Sequence, residues 1–163
     1  MGKIDLASVP RGEGTDYPPP YDAPCLDRVR QALGDAAGLT QFGVNLLRMG
    51  PGTWSSQRHW HTEEDEFLWV LEGEVMLVTE NGEELLRAGD CAGFKAGVAD
   101  GHHLQNRSNR PALILEMGSR RPERDVADYP DIDLRWVEGP GYTHKDGKPY
   151  GKRPAAKVPF TGG

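Results

Sequence analysis

His59-Trp60-His61, with Glu66 beyond it and His102-His103 further along, is the part of this chain best equipped for chemistry. Two histidines one residue apart suit a β-strand, whose side chains alternate faces with a period of two. Both imidazoles then point the same way, about 7 Å apart along the strand, near enough to converge on one cation. Glu66 follows the acidic turn Thr62-Glu63-Glu64-Asp65 and opens the next apolar run, so its carboxylate can reach back toward the same point. His102 supplies a third imidazole, with Leu104 and Asn106 on its strand face. Such a set takes one divalent ion (Zn, Mn, Fe or Ni) at about 2.0–2.2 Å, its identity left open by the ligand types. Positions remain free for water or substrate. The competing expectation is a polar cluster, or surface histidines, without metal.

Several neighbouring groups could shape a substrate site. Gln57 shares the parity of His59 and His61, which makes its amide the catalytic candidate for holding a hydroxyl or carbonyl. It could equally close a barrel end through backbone hydrogen bonds. His103 alternates to the face opposite His102 and reads as packing or surface. Lys95 reads as an exposed turn lysine, with an acidic substrate group as the alternative. Glu63, Glu64 and Asp65 read as a solvated turn, with a general base among them as the alternative. Cys91 reads as a small buried side chain, since no basic partner stands at an identifiable spacing. His144, in the tail, falls to solvent or across the barrel mouth.

The elements that must position these residues are short strands. The segments 41–49, 55–61, 66–72, 74–79, 83–86, 91–94, 102–106 and 112–117 carry strand patterning without an intervening helix-length pattern. Parallel βαβ units are therefore excluded, and an all-β antiparallel barrel or sandwich remains. Asn81-Gly82 predicts a type I′ hairpin, and Gly73 predicts a tight reversal or bulge. If Glu66 points inward, Leu68 and Val70 follow it, leaving Phe67, Trp69 and Leu71 outside. That aromatic outer face needs cover from the arm, the tail or a second subunit, and a homodimer is the expectation.

Three zones follow: an arm over 1–40, the barrel over 41–118 and an extension over 119–163. In the arm, Pro18-Pro19-Pro20 is extended, and Leu26, Val29 and Leu33 predict a short helix ended by Gly34. The extension offers Tyr129, Ile132, Leu134, Trp136 and Val137 for docking, and the stretch from Gly139 to Gly163 either wraps the domain or stays partly loose. At 163 residues the chain suffices for one domain. A net charge of −6 with dispersed basic residues argues against nucleic acid, and no clustered basic side chains for tight phosphate binding are visible. Two cysteines, Cys25 and Cys91, fit a reducing cytoplasm, with a single bridge between them left open. No apolar run is long enough for a membrane span.

The segment Gly52-x6-His59-x-His61-x4-Glu66-x6-Gly73 resembles the first motif of the cupin superfamily, one residue longer than usual before the first histidine. The segment Gly89-x7-Gly97-x4-His102-x3-Asn106 resembles the second. It carries Lys95 where proline is usual and inserts Asp100-Gly101 before the histidine. The resemblance covers about residues 41–117 and implies a jelly-roll β-barrel. It implies His59, His61, Glu66 and His102 as metal ligands, the His-x3-Asn spacing selecting His102 over His103. Gly34-Asp35, Phe42-Gly43 and Tyr129-Pro130-Asp131 also resemble a group of small single-domain bacterial cupins that brings no settled chemistry. By analogy the function is a divalent-metal-dependent enzyme acting on a small hydroxylated or carboxylated metabolite: a sugar isomerase, epimerase or lyase. An Fe(II)-dependent dioxygenase and a non-catalytic small-molecule-binding cupin stand as the alternatives.

Overall fold

The computed structural model describes residues 2–151. Its strands are β1 Gly12–Glu13, β2 Arg28–Ala32, β3 Phe42–Met49, β4 Trp60–His61, β5 Glu66–Glu72, β6 Glu74–Thr79 and β7 Gly82–Arg87. They continue with β8 Cys91–Phe94, β9 His103–Gln105, β10 Ala112–Ser119, β11 Val126–Tyr129, β12 Leu134–Val137 and β13 Gly141–Thr143. One short helix, α1, covers Leu33–Ala36.

One sheet has the order β1-β2-β3-β10-β5-β8 and is antiparallel throughout. The opposite wall consists of β7-β6-β9 and β13-β12-β11-β4, joined by the bridge pairs His59↔His102 and Trp54↔Gln105. The fold is thus all-β, a jelly-roll barrel. Its dry half holds Leu47, Met49, Val70 and Ile114 of the large sheet against Val75, Leu77, Leu86 and Leu104 of the other wall. Fully burying one such aliphatic side chain contributes about 1.5–3 kcal/mol.

Strand β5 keeps strict alternation: Leu68 and Val70 are buried, while Phe67, Trp69 and Leu71 are exposed. At Gly73, φ is +78°, and a Cβ there would lie 2.8 Å from the Pro111 carbonyl oxygen. The chain leaves one sheet for the other at this corner, so Gly73 makes no hairpin. The β6–β7 hairpin is in place, but Thr79 pairs with Gly82 and the loop is Glu80-Asn81. Asn81 does not adopt positive φ, so the turn is not type I′. Instead, Asp100 of the inserted Asp100-Gly101 accepts the Glu80 N–H at 2.8 Å and holds the loop from outside.

The arm differs from expectation. Residues 28–32 form β2, paired in five positions with β3, rather than a helix. Leu26 is exposed, so the expected helical face is not buried, and edge pairing outweighs a weak local helix preference. The helix comes later and contains Gly34, whose Cβ would sit 2.9 Å from the Val44 nitrogen. Because β1 and β2 belong to the large sheet, the arm–barrel boundary at residue 40 is not a structural break. The extension forms β11, β12 and β13. With Tyr17 and Cys25 of the arm, its Ala127, Tyr129 and Leu134 build a second apolar cluster. From Gly139 to Gly151 the chain wraps the domain rather than staying loose, with β13 paired to β12 and Tyr150 donating to the Asp133 carbonyl at 2.6 Å; the remainder, 152–163, lies outside the described residues. Cys25 is buried and Cys91 exposed, both as free thiols, so the expected burial of Cys91 is reversed and the chain has no Cys25–Cys91 bridge. No helix among the described residues is long and apolar enough to cross a membrane.

Candidate metal centre

The two walls meet where His59 and His102 exchange backbone hydrogen bonds, N to O at 3.2 and 2.9 Å. This bridge sets the two imidazoles side by side, and His61 follows on β4. Glu66, the first residue of β5, comes from the opposite wall. Its Oε2 lies 2.9 Å from His102 Nε2, 3.8 Å from His61 Nε2 and 3.9 Å from His59 Nε2. Ligand atoms on one ion at about 2.1 Å stand about 3.0–3.4 Å apart for right-angle to tetrahedral geometry. The observed separations bracket that range. Glu66 Oε2 is buried among the three imidazoles without a well-formed hydrogen bond of its own. The ligand atoms of His59, His61 and Glu66 all lie within 4.8 Å of one another and can hold a cation; His102 meets Glu66 Oε2 but is not within that distance of all three.

The outer nitrogens of His59 and His61 have partners that set their tautomers; His102 Nδ1 has none among the described residues. His59 Nδ1 donates to the Gln57 carbonyl at 2.9 Å, which turns its Nε2 lone pair toward Glu66. His61 Nδ1 lies 2.5 Å from Asp125 Oδ2. Asp125 is only 3% exposed and also accepts the Glu63 N–H at 2.9 Å. A carboxylate behind a ligating imidazole orients the ring and raises its basicity. Burial holds His59 neutral, down to about 3. At His61 burial again opposes charge, but the Glu66 and Asp125 carboxylates outweigh it and lift the ring to about 9. Burial pushes Glu66 up, yet the His61, His102 and His59 rings hold it well below the usual carboxylate range.

A cavity of about 360 Å³ opens beside this group. The extension supplies part of its wall through Asp125, Tyr129, Trp136 and Tyr142, and Tyr17 comes from the arm. Tyr129 stacks on His59 with ring centroids 5.4 Å apart. Burial pushes Tyr17 up to about 12 and Tyr129 and Tyr142 well above their ordinary value, so all three remain O–H donors. Glu64 also lines the cavity, and burial raises its carboxyl; Glu63 and Asp65 are exposed.

His59, His61, Glu66 and His102 are therefore together, whereas Gln57 is not with them. Its amide donates to the Tyr21 carbonyl at 2.7 Å, and it does not line the cavity. The reason is local: residues 55–58 are bends rather than strand, so alternation does not carry the parity of His59 back to Gln57. His103 is buried, with Nδ1 donating to the Ser56 carbonyl at 2.9 Å and Nε2 accepting from Gln105 at 3.0 Å. Lys95 is exposed. His144 pairs with Asp133 at 2.7 Å and does not line the cavity. Sequence reasoning missed Asp125, which has no motif around it, and the arginines Arg28, Arg30 and Arg120, which the fold gathers at the cavity from two distant segments.

The cupin domain family matches residues 45–118. Among solved structures, a sugar phosphate isomerase from a cupin superfamily, from Silicibacter pomeroyi, is 44% identical, with 92% of this chain and 97% of that chain covered and a TM-score of 0.85. A candidate sugar phosphate isomerase from Acidithiobacillus ferrooxidans is 33% identical, covering 72% of this chain and 74% of that chain at a TM-score of 0.66. A polyketide cyclase from Streptomyces resistomycificus shares the fold at 19% identity, 75% and 82% coverage and a TM-score of 0.61. No curated protein matches. The chain belongs to the cupin superfamily.

Proposed function

We propose that this chain is a divalent-metal-dependent isomerase or epimerase acting on a small hydroxylated compound of the sugar class. The observation that carries this reading is the meeting of three imidazole Nε2 atoms at one buried carboxylate oxygen on the wall of a 360 Å³ cavity. Similarity to the Silicibacter pomeroyi sugar phosphate isomerase at 44% identity supports the reaction class.

His59, His61, Glu66 and His102 would hold the ion, which when bound supplies a Lewis acid for a carbonyl or hydroxyl oxygen. Asp125 keeps the His61 Nε2 lone pair directed at the centre. Glu64, its carboxyl raised by burial, can hold or accept a proton beside His61. Tyr129 and Tyr142 of the extension and Tyr17 of the arm line the cavity with protonated hydroxyls.

The test is anaerobic NMR of protein loaded separately with Mn, Fe, Ni or Zn, incubated with aldoses, ketoses and their phosphates. Interconversion of isomers or epimers, lost in His61→Ala, is expected. Substrate loss coupled to oxygen uptake would reassign the chain as a dioxygenase, and binding without turnover of any compound would leave a small-molecule-binding cupin.

For the assembly we propose a homodimer through the outer face of the large sheet. Phe42, Phe67, Trp69 and Leu71 are exposed there, while the arm meets the same face at β2, where Gln31 Nε2 donates to the Leu6 and Val9 carbonyls. An exposed apolar face of this kind is complementary to a second copy of itself about a two-fold axis.

A further inference from the structure

Beside Glu66, the inner face of the large sheet carries polar side chains that the metal centre does not use. Arg30 on β2, Asn45 on β3 and Glu116 on β10 line the cavity. The register joins them: Asn45 pairs with Glu116, and Arg30 lies opposite Leu47, two residues along β3 from Asn45. Glu116 in turn pairs with Leu68, two residues from Glu66. Diagonal neighbours of this kind stand about 7–8 Å apart, which is the span of a small substrate held between the two carboxylates.

On β3 and β10 the inward positions further along are Leu47, Met49, Ile114 and Ala112, all in the dry core. On these two strands the inner face therefore changes from apolar to polar at Asn45 and Glu116, and on β2 Arg30 faces the same side opposite Leu47. Arg30 Nη2 lies 3.0 Å from Glu116 Oε2, with side chains 15% and 22% exposed, and Asn45 is buried. A mostly buried ion pair is no more stabilising than well-packed aliphatic side chains of similar size. Fold stability alone does not account for it.

The arrangement also says what is recognised. A guanidinium donates, a carboxylate accepts, and an amide does both, which matches hydroxyl groups that are each donor and acceptor. It matches a phosphate poorly, because the cavity arginines already have acceptors. Arg28 donates to the Gly14 and Ser55 carbonyls and to Thr15 Oγ1. Arg30 pairs with Glu116, and Arg120 with Asp35 and the Leu39 carbonyl. Six carboxylates line the cavity against three guanidinium groups, so its field opposes a dianion.

We propose that Arg30, Asn45 and Glu116 form the hydroxyl-reading floor of this site, and that the substrate occupies the cavity as an uncharged sugar or polyol. This rests on the proposed sugar-class function and narrows it, because the phosphate in the relatives' names has no place prepared for it here.

The experiment is isothermal titration of the metal-loaded protein with a panel of neutral aldoses and ketoses, with sugar 5- and 6-phosphates and with inorganic phosphate. A neutral sugar binds, and inorganic phosphate does not displace it. Glu116→Gln and Arg30→Gln each weaken that sugar by about tenfold or more, since a hydrogen bond to a charged group is lost. Metal content stays near the parent's; removing one partner of the Arg30–Glu116 pair lowers the melting temperature, so Asn45→Ala, which leaves that pair intact, serves as the second variant. Glu116→Gln also strengthens inorganic phosphate, because it removes the carboxylate that neutralises Arg30. A parent that binds no neutral sugar, or binds a phosphorylated one tenfold tighter, overturns the proposal, as do variants with parental sugar affinity. Neutral-sugar binding without turnover sinks only the isomerase function. Turnover of a phosphorylated sugar with no neutral binding sinks only this floor.

Discussion

Asp125→Asn is the most incisive perturbation of the metal centre, because it changes one proton rather than one shape. In the parent, Asp125 Oδ2 lies 2.5 Å from His61 Nδ1 and Oδ1 accepts the Glu63 N–H at 2.9 Å. An asparagine in the same place keeps its carbonyl oxygen on the Glu63 N–H. Its amide nitrogen then faces His61 Nδ1 and can only donate. The imidazole is forced to accept at Nδ1 and to carry its hydrogen at Nε2, the atom that faces Glu66 3.8 Å away. That is the wrong tautomer for a ligand. Loss of such an orienting partner typically costs 10–100-fold in metal affinity, or about 1.4–2.8 kcal/mol. Competition with a chromophoric chelator measures the Kd, and the visible spectrum of the Co(II) form reports whether the ligand field has changed. His103→Ala is the control, since that ring is bonded to Ser56 and Gln105 and stands outside the ligand set; it should leave the Kd unmoved. An Asp125→Asn protein with parental Kd and spectrum would show that His61 does not ligate through Nε2.

Two other perturbations separate surface from interior. In native protein at pH 8, one thiol per chain, Cys91, should react rapidly with a disulfide reagent, and Cys25 only after denaturation, because burial raises Cys25 to about 11. A raised thiol favours the neutral form in the folded state, so the associated stability is complete below the unfolded value of about 8.5 and fades as pH climbs toward 11; two fast thiols in native protein would contradict this. Trp69→Glu, on the exposed face of β5, should convert a dimer to a monomer by light scattering while leaving metal content intact. A parent that is already monomeric at tens of micromolar would remove the dimer proposal.

The residues that were legible in the sequence are those held by regular periodicity. Over β5 the alternation from Glu66 to Leu71 is unbroken, so one inward assignment fixed five others and left Phe67, Trp69 and Leu71 outside. The same logic failed two residues before His59, because the chain bends over 55–58 and Gln57 turns to the Tyr21 carbonyl. Cys91 was misplaced because β8 lies at the sheet edge, where a small apolar residue opposite Trp69 faces outward as readily as inward.

What stayed hidden has a common physical cause. Half of the site comes from segments whose local pattern is weak and whose partners are remote: Arg30 from a strand formed only by pairing with β3, and Asp125 from the loop entering β11. Strand β11 itself is positioned by pairing Ala127 with His61. In an antiparallel barrel a strand is defined by its neighbour as much as by its own residues, so a short edge segment such as Arg28–Ala32 has no reading until β3 is in place. The ligands could be found because they stand at motif spacings on three segments, His59 and His61 at β4, Glu66 at the head of β5 and His102 just before β9, and because a metal demands particular side chains. The groups that read a substrate carry no such demand: an Arg, an Asn and a Glu are ordinary surface residues until register brings them to one cavity. The chemistry of the centre is thus local in the sequence, while its specificity is a property of the assembled sheet.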